Sequence, residues 1–231
     1  MFQKIVGTAL LLLLLRPCYG QACLDTLARI PSGPSTRYAL ELLVSIPDTT
    51  HPRSLFSLPR GRLGHVFLGL CKAEGDRKAV AYLGFYARSP LLAFGTGLPV
   101  PSRMADNARH AYNAGIVTTL TGAQFDTVLA RLQRDGRRKY SIFRYNCVHY
   151  ALDVFNATRA HPLTPSLLKL GTWDRRGYLT PNSVYLLLSA MRSGPEKQNV
   201  ILRSGRASAG EDPLLERAPP PDSSAAILPY L

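Results

Sequence analysis

Residues 145–156 read YNCVHYALDVFN and form the most informative stretch of the chain. From Val148 onward the apolar residues recur at positions 148, 151, 152 and 155, the spacing of one face of an α-helix. Asn146 is a favourable N-cap, so Cys147 is predicted to be the first helical residue. Unpaired backbone N–H groups and the positive end of the helix dipole stabilise a thiolate there, so we expect the pKa of Cys147 to lie below ~8.5.

Cys147 therefore has two interpretations. A thiolate at a helix start is a candidate nucleophile if a histidine arrives from elsewhere in the fold. A free cysteine also serves commonly as a small buried hydrophobe.

A second informative stretch is GHVFLGLC at residues 64–71. It is apolar on both faces, which is typical of a buried central strand. His65 opens this strand and shares its side with Phe67, Gly69 and Cys71, because side chains alternate along a strand. His65 is the candidate base, and a satisfied core histidine is the alternative.

Gly64-His65 followed by Asn146-Cys147 resembles the circularly permuted branch of the papain-like fold, which includes relatives of the NlpC-type cell-wall peptidases and of the lecithin retinol acyltransferase group. The resemblance covers about residues 35–157, and in this branch the histidine strand precedes the cysteine helix. It implies that Cys147 is the nucleophile and His65 the general base.

The third polar residue of this family usually lies on the strand after the histidine strand. Here that strand is predicted over residues 78–86, KAVAYLGFY, which contain no His, Asn or Gln. His110 is the substitute candidate for orienting His65, with a plain structural role as the alternative.

The remaining pattern is that of an α+β protein. Residues 37–46 and 109–119 are predicted strands, and residues 89–107, rich in Gly and Pro, are predicted to form a long loop. A capping box beginning at Thr121 predicts one helix, and Thr180-Pro181 predicts the start of another. We expect a permuted papain-like fold, with an antiparallel sheet packed against the cysteine-bearing helix.

The N-terminus has the pattern of a signal peptide, with Lys4 before a short apolar run over residues 8–15. The small residues at Gly20 and Ala22 predict cleavage after Ala22 and hence a secreted, periplasmic or cell-envelope protein. Lipid attachment at Cys23 is the less favoured alternative. The apolar run is shorter than the ~20 residues that a membrane-spanning helix needs, so no transmembrane span is predicted.

The chain is thus divided into a signal peptide over residues 1–22, one domain over residues 23–193 and a disordered tail over residues 194–231. Residues 205–225 of the tail are rich in Gly, Ser, Pro and charge, so they bury too little apolar area to offset the cost of ordering. A chain ending near residue 193 is expected to keep its thermal stability.

Three cysteines remain after cleavage: Cys23, Cys71 and Cys147. An odd number in an exported protein leaves one thiol unpaired. A Cys23–Cys71 disulfide would leave Cys147 free for catalysis, and the alternative is that all three stay reduced.

The formal net charge of +13 favours anionic partners. We expect an anionic cell-envelope polymer or a peptide substrate. No aromatic-basic RNA motif, zinc-finger spacing or phosphate-binding glycine loop is present, so neither specific nucleic-acid binding nor a cofactor is predicted. A metal held by Cys147 and His149 is a weaker alternative.

Together these features predict a secreted cysteine hydrolase that cleaves an amide bond, in cell-wall peptide as the first choice. Two alternatives remain open. One is a lipid acyltransferase or esterase of the same fold, which the apolar residues of the 89–100 segment would suit. The other is a catalytically inactive envelope-binding protein.

Overall fold

The computed structural model describes residues 19–53, 63–169, 176–195, 197–202 and 204–207. The predicted charged and apolar regions of the signal peptide, and the last residues of the predicted tail, lie outside these ranges.

The described residues form eight strands and five α-helices. The strands are β1 (Arg37–Ser45), β2 (His65–Glu74), β3 (Arg77–Ala87), β4 (Ser102–Asp106), β5 (Ala111–Tyr112), β6 (Ala114–Leu120), β7 (Val200–Ile201) and β8 (Gly205–Arg206). The helices are α1 (Tyr19–Ala28), α2 (Pro90–Thr96), α3 (Gly122–Asp135), α4 (Cys147–Phe155) and α5 (Pro181–Met191).

The core of the fold is a six-stranded sheet in the order β4-β3-β2-β1-β6-β7, in which neighbouring strands are antiparallel. Strands β5 and β8 form a separate antiparallel pair. The structure confirms the predicted α+β class with an antiparallel sheet. Strand β2 lies between β1 and β3 and is buried over its first eight residues, as its continuous apolar run predicts.

Because successive side chains of a strand point to opposite faces, the sheet carries two hydrophobic clusters, one on each face. Even-numbered residues of β2, such as Val66 and Leu68, belong to the first cluster together with the buried faces of α3, α4 and α5. Odd-numbered residues of β2, such as Phe67 and Cys71, belong to the second cluster with Tyr82 and Tyr112. The cysteine-bearing helix α4 therefore packs on the first face.

Helices α3, α4 and α5 begin where their caps predict. Thr121 and Gln124 form the reciprocal capping box of α3. Thr180 caps α5 and Pro181 occupies its first turn, where a missing N–H costs nothing.

The predicted loop over residues 89–107 is wrong. Pro90 begins α2, and the chain leaves that helix at Gly97, which has a φ of 68° and closes the turn with a hydrogen bond to Ala93 O. Strand β4 then pairs with the edge of β3. Gly and Pro in this segment act as a helix start and a helix stop, which composition alone does not separate from a loop.

The predicted strand over residues 109–119 is broken at Asn113. The Asn113 side chain accepts a hydrogen bond from the backbone N–H of Ile46 at 2.6 Å, and its own N–H donates to Val44 O at 2.7 Å. Asn113 thus closes the end of β1, and the regular pairing of β6 begins one residue later.

The domain boundary predicted at residue 193 precedes two short strands. Val200 and Ile201 pair with Ile116 and Gly115 of β6, and β8 pairs with β5. Ala207 is buried in the second cluster. The ordered part of the chain therefore extends at least to residue 207.

Helix α1 contains the predicted cleavage point after Ala22. Leu27 in its last turn is 2% exposed and belongs to the first cluster, so the C-terminal part of α1 is integral to the domain. Among the helices of the described segments, none has the length and apolar character to cross a bilayer.

We predict that ending the chain after residue 193 lowers the thermal midpoint by about 5 °C or more, because β7 and the burial of Ala207 are lost. A chain ending after residue 207 is the matched control and keeps the midpoint of the full chain. Differential scanning calorimetry of the three chains measures this. Equal midpoints for all three would show that β7 and β8 contribute nothing to stability.

Candidate active site

The start of α4 is fixed by the side chain of Asn146. Its Oδ1 accepts hydrogen bonds from the N–H groups of Val148 at 2.9 Å and His149 at 3.3 Å. Its Nδ2 donates to Ile142 O and to Leu179 O, each at 3.0 Å. The predicted cap is confirmed, and one buried amide ties α4 to the preceding turn and to the segment that enters α5.

Cys147 is the first residue of α4, and its thiol is buried. The backbone N–H groups of Val66, Val148 and Cys147 itself point at the sulfur, and each lowers its pKa. Burial nevertheless dominates and raises the pKa of Cys147 to about 11. The predicted low thiol pKa is therefore wrong for this structure, because desolvation of the thiolate outweighs three N–H donors.

His65 lies at the start of β2, where its ring enters an aromatic group. It stacks on Tyr86 with ring centroids 4.3 Å apart, and His110 meets it edge-on with ring centroids 5.5 Å apart. Its buried Nε2 has no hydrogen-bond partner among the described residues. Burial, and then the nearby His110, lower the pKa of His65 to about 3.

The structure brings His65 and His110 together, but it does not join His65 to Cys147 by a hydrogen bond. His65 shares its side of β2 with Phe67 of the second cluster, whereas Cys147 belongs to the first. The connection between them is through the main chain: one of the N–H groups at the Cys147 sulfur belongs to Val66, the residue after His65.

Two further residues of this cluster were missed from the sequence. Tyr86 stacks on His65, and its hydroxyl lies 3.0 Å from Nδ2 and 3.1 Å from Oδ1 of the buried Asn107. The register that pairs Phe67 with Gly84 places residue 86 opposite His65. The contact of Tyr86 with His65 could therefore be predicted only with knowledge of that register. Burial raises the pKa of Tyr86 to about 12, and Cys147 adds to that rise while Asn107 opposes it.

A cavity of about 430 Å³ borders the same cluster, lined by Tyr86, Arg103, Ala105, Asp106, Asn107, Ala108, Arg109 and His110. It carries two guanidinium groups against one carboxylate. Arg109 has a φ of 76°, which is rare outside glycine, and its N–H donates to Ala207 O at 2.6 Å. The cavity therefore has the charge to receive an anionic group beside His110.

His149, two residues after Cys147, is part of the cap of α4. Its Nδ1 lies 3.4 Å from the N–H of Asn146 and 3.0 Å from Asn146 Oδ1. No group of three His, Cys, Asp or Glu side chains within the described residues is placed to hold a metal ion. The observed role of His149 is in capping.

The predicted Cys23–Cys71 disulfide is absent, because Cys23, Cys71 and Cys147 are all free thiols. Cys23 on α1 packs against the first cluster, whereas Cys71 on β2 lies in the second. The sheet separates them. Burial, and then Asp106, raise the pKa of Cys23 to about 11.

Comparison with known proteins adds no family to this description. None of the protein-family models matches the chain, and no curated protein or solved structure matches it.

We predict that Gly84→Ala destabilises the protein by about 1–3 kcal/mol, because a Cβ at Gly84 would lie 2.5 Å from Asn107 Oδ1. Gly95→Ala is the matched control. Gly95 lies in α2 with nothing within 4 Å of its Cβ position, so this change stabilises by about 0.5–1 kcal/mol. Urea unfolding of both variants measures the difference. Equal effects would mean that the Asn107 contact does not require a glycine.

We also predict that His65 makes the protein less stable as pH falls. Its folded pKa of about 3 lies below the ~6.5 of an unfolded histidine, so the unfolded chain binds one more proton between these values. This costs about 1.4 kcal/mol for each pH unit below ~6.5. His65→Gln removes that dependence, and His161→Gln, at an exposed position, keeps it. Urea unfolding between pH 4 and pH 7 tests this, and identical slopes for the two variants would contradict it.

Proposed function

We propose that this chain has a permuted papain-like fold and acts as an exported cysteine hydrolase, with Cys147 as nucleophile and His65 as base. The observation that carries the proposal is the setting of the Cys147 sulfur, a thiol at a helix N-terminus that receives three backbone N–H groups. Such donors stabilise a thiolate and, when a carbonyl is attacked, the oxyanion that forms beside it. The order of histidine strand before cysteine helix supports the same assignment.

The chemistry is acyl transfer in two stages. The Cys147 sulfur attacks the carbonyl carbon while Nε2 of His65 takes the thiol proton. The tetrahedral intermediate then collapses, the leaving amine takes that proton, and an acyl-cysteine remains. Water, with His65 as base, releases the acid and restores the thiol.

The reaction requires the imidazole to move to the sulfur from its stack with Tyr86. His65 directly precedes Val66, whose backbone N–H lies against the sulfur, and the unpartnered Nε2 of His65 loses no hydrogen bond by moving. Catalytic hydrogen bonds are often long before substrate binds. His110 and Tyr86 are then positioning residues that hold the ring in its present place.

The substrate class that suits the cavity is an anionic peptide or envelope polymer. Arg103 and Arg109 line it, and Tyr86 of the same lining stacks on His65. A carboxylate held there would lie beside the histidine cluster. Amide hydrolysis remains the first choice, and export to the cell envelope belongs to the same proposal.

One observation favours the inactive, binding alternative. The pKa values of Cys147, about 11, and His65, about 3, keep both groups neutral across the physiological range, and no hydrogen bond joins them. A purely structural thiol and imidazole would have these properties. A measurement of enzymatic activity therefore decides between the cysteine hydrolase and the inactive binding protein.

We predict that the full chain cleaves muropeptides or acyl esters and forms an acyl adduct on Cys147. Cys147→Ser and His65→Ala lower the rate by about 10²–10⁴-fold, because nucleophile and base are lost. Cys71→Ser is the matched control, since that buried thiol lies in the second cluster away from α4 and keeps the rate of the parent chain.

Mass spectrometry of the intact protein and of the products measures both effects. Muropeptide turnover without ester turnover supports the amidase, and the reverse supports the lipid enzyme. If no substrate is turned over, the binding protein takes the place of the enzyme. If Cys147→Ser keeps full activity, Cys147 is not the nucleophile and the proposed mechanism fails.

A further inference from the structure

The segment from α2 to Leu98 exposes large apolar side chains that a folded domain would ordinarily bury. Within α2 the buried residue is Ala93, whereas Leu91 is 90% exposed. Six of the seven exposed large apolar residues in the described part of the chain belong to this segment or to the two segments beside it. We name them the apolar ridge: Leu91, Leu92, Phe94, Leu98, Phe143 and Leu167.

The ridge is continuous across three separate chain segments. A Cβ at Gly97, which ends α2, would lie 2.8 Å from the ring of Phe143. Phe143 in turn packs on Tyr178, with ring centroids 5.1 Å apart. Tyr178 forms a two-stranded bridge with Leu168, next to Leu167. Contiguous exposed apolar surface of this kind marks an interaction site.

Basic side chains border the ridge. Val100 pairs with Tyr140, and Ser102 Oγ donates to Gly136 O at 3.1 Å, so the exposed basic loop 137–139 lies beside the segment that follows Leu98. The exposed Arg144 adjoins Phe143 in sequence. Arg88 N–H donates to Pro101 O at 2.8 Å on the same segment.

Two of the three chain segments that form the ridge lack acidic residues. Residues 88–105 and 136–152 contain no Asp or Glu. Asp153 pairs with Arg138 at 3.2 Å, and the buried Asp135 pairs with Arg131 and Arg134, so no described carboxylate pairs with Arg137, Lys139 or Arg144. An apolar strip with a positive margin complements a surface that is apolar inside and negative outside.

We propose that the apolar ridge docks the protein on an anionic lipid surface. Its leucine and phenylalanine side chains enter the boundary between headgroups and acyl chains, and the border of arginine and lysine meets the lipid phosphates. The docking does not depend on the proposed catalysis.

Co-sedimentation of the full chain with vesicles tests the proposal. The probes are vesicles of phosphatidylcholine alone and of phosphatidylcholine with about 30% phosphatidylglycerol, which supplies the negative surface potential. The full chain binds the anionic vesicles, and binding weakens as salt is raised. Leu91→Ser lowers the affinity about tenfold. Leu63→Ser, at a leucine 46% exposed outside the ridge, leaves it unchanged.

A second pair of matched variants tests the basic border of the ridge. Arg137→Gln with Lys139→Gln lowers the affinity about 25-fold at low salt, since each basic side chain near an anionic bilayer contributes about fivefold. Arg77→Gln with Lys78→Gln removes the same charge from the exposed hairpin between β2 and β3 and changes binding far less.

Three outcomes overturn the proposal. Equal binding by the ridge variants and their controls would assign the attraction to net charge alone. A full chain that stays unbound but self-associates, with Leu91→Ser making it monomeric by analytical ultracentrifugation, would make a second copy the occupant. A full chain that stays unbound while a chain ending at residue 207 binds would make the C-terminal segment the occupant.

Discussion

The arrangement of the site depends on one buried side chain, the amide of Asn146. Asparagine at an N-cap ordinarily satisfies the first turn of its own helix. Here the same amide also donates to Ile142 O and Leu179 O, so the start of α4 is fixed against two other segments. Because Cys147 follows directly, the position of its sulfur relative to β2 is set by this capping. Replacing the amide would leave four backbone groups without their partner at once.

The electrostatics of the site is a competition between desolvation and hydrogen bonding. Three N–H groups favour the thiolate of Cys147, yet burial raises its pKa. His65 meets the same desolvation penalty with the opposite charge: burial disfavours its cation, and its Nε2 has no hydrogen-bond partner among the described residues. Each group is therefore held neutral by burial on its own face of the sheet. A substrate that brings a polar group or water to the sulfur changes the balance for Cys147.

The sequence was sufficient where a local rule determines the structure. Helix α4 and its cap follow from Asn146 and the apolar spacing after it, and β2 follows from its apolar run. His110 was chosen as a partner of His65 because the resembling family has a third polar residue that the strand over 78–86 lacks. The two histidine rings do lie close together, with centroids 5.5 Å apart.

Properties that depend on register or on net burial were not accessible. Tyr86 was missed because its position opposite His65 requires the pairing of β2 with β3. The thiol pKa was wrong because a helix start is visible in the sequence and the depth of its burial is not. The disulfide failed for a similar reason, since cysteine counting carries no information on which face of a sheet each thiol occupies. Strand β4 was missed because its short polar sequence has no alternating pattern.

Strand β7 covers the outer side of β6 at Gly115 and Ile116. Without it those two residues would present free backbone donors and acceptors at the rim of the remaining five-stranded antiparallel sheet, on a β6 that contains Val, Ile and Thr. Such a rim accepts a strand from a neighbouring molecule as readily as one from its own chain. Val200 and Ile201 thus protect this edge from pairing with another molecule, and removing them exposes a template for aggregation.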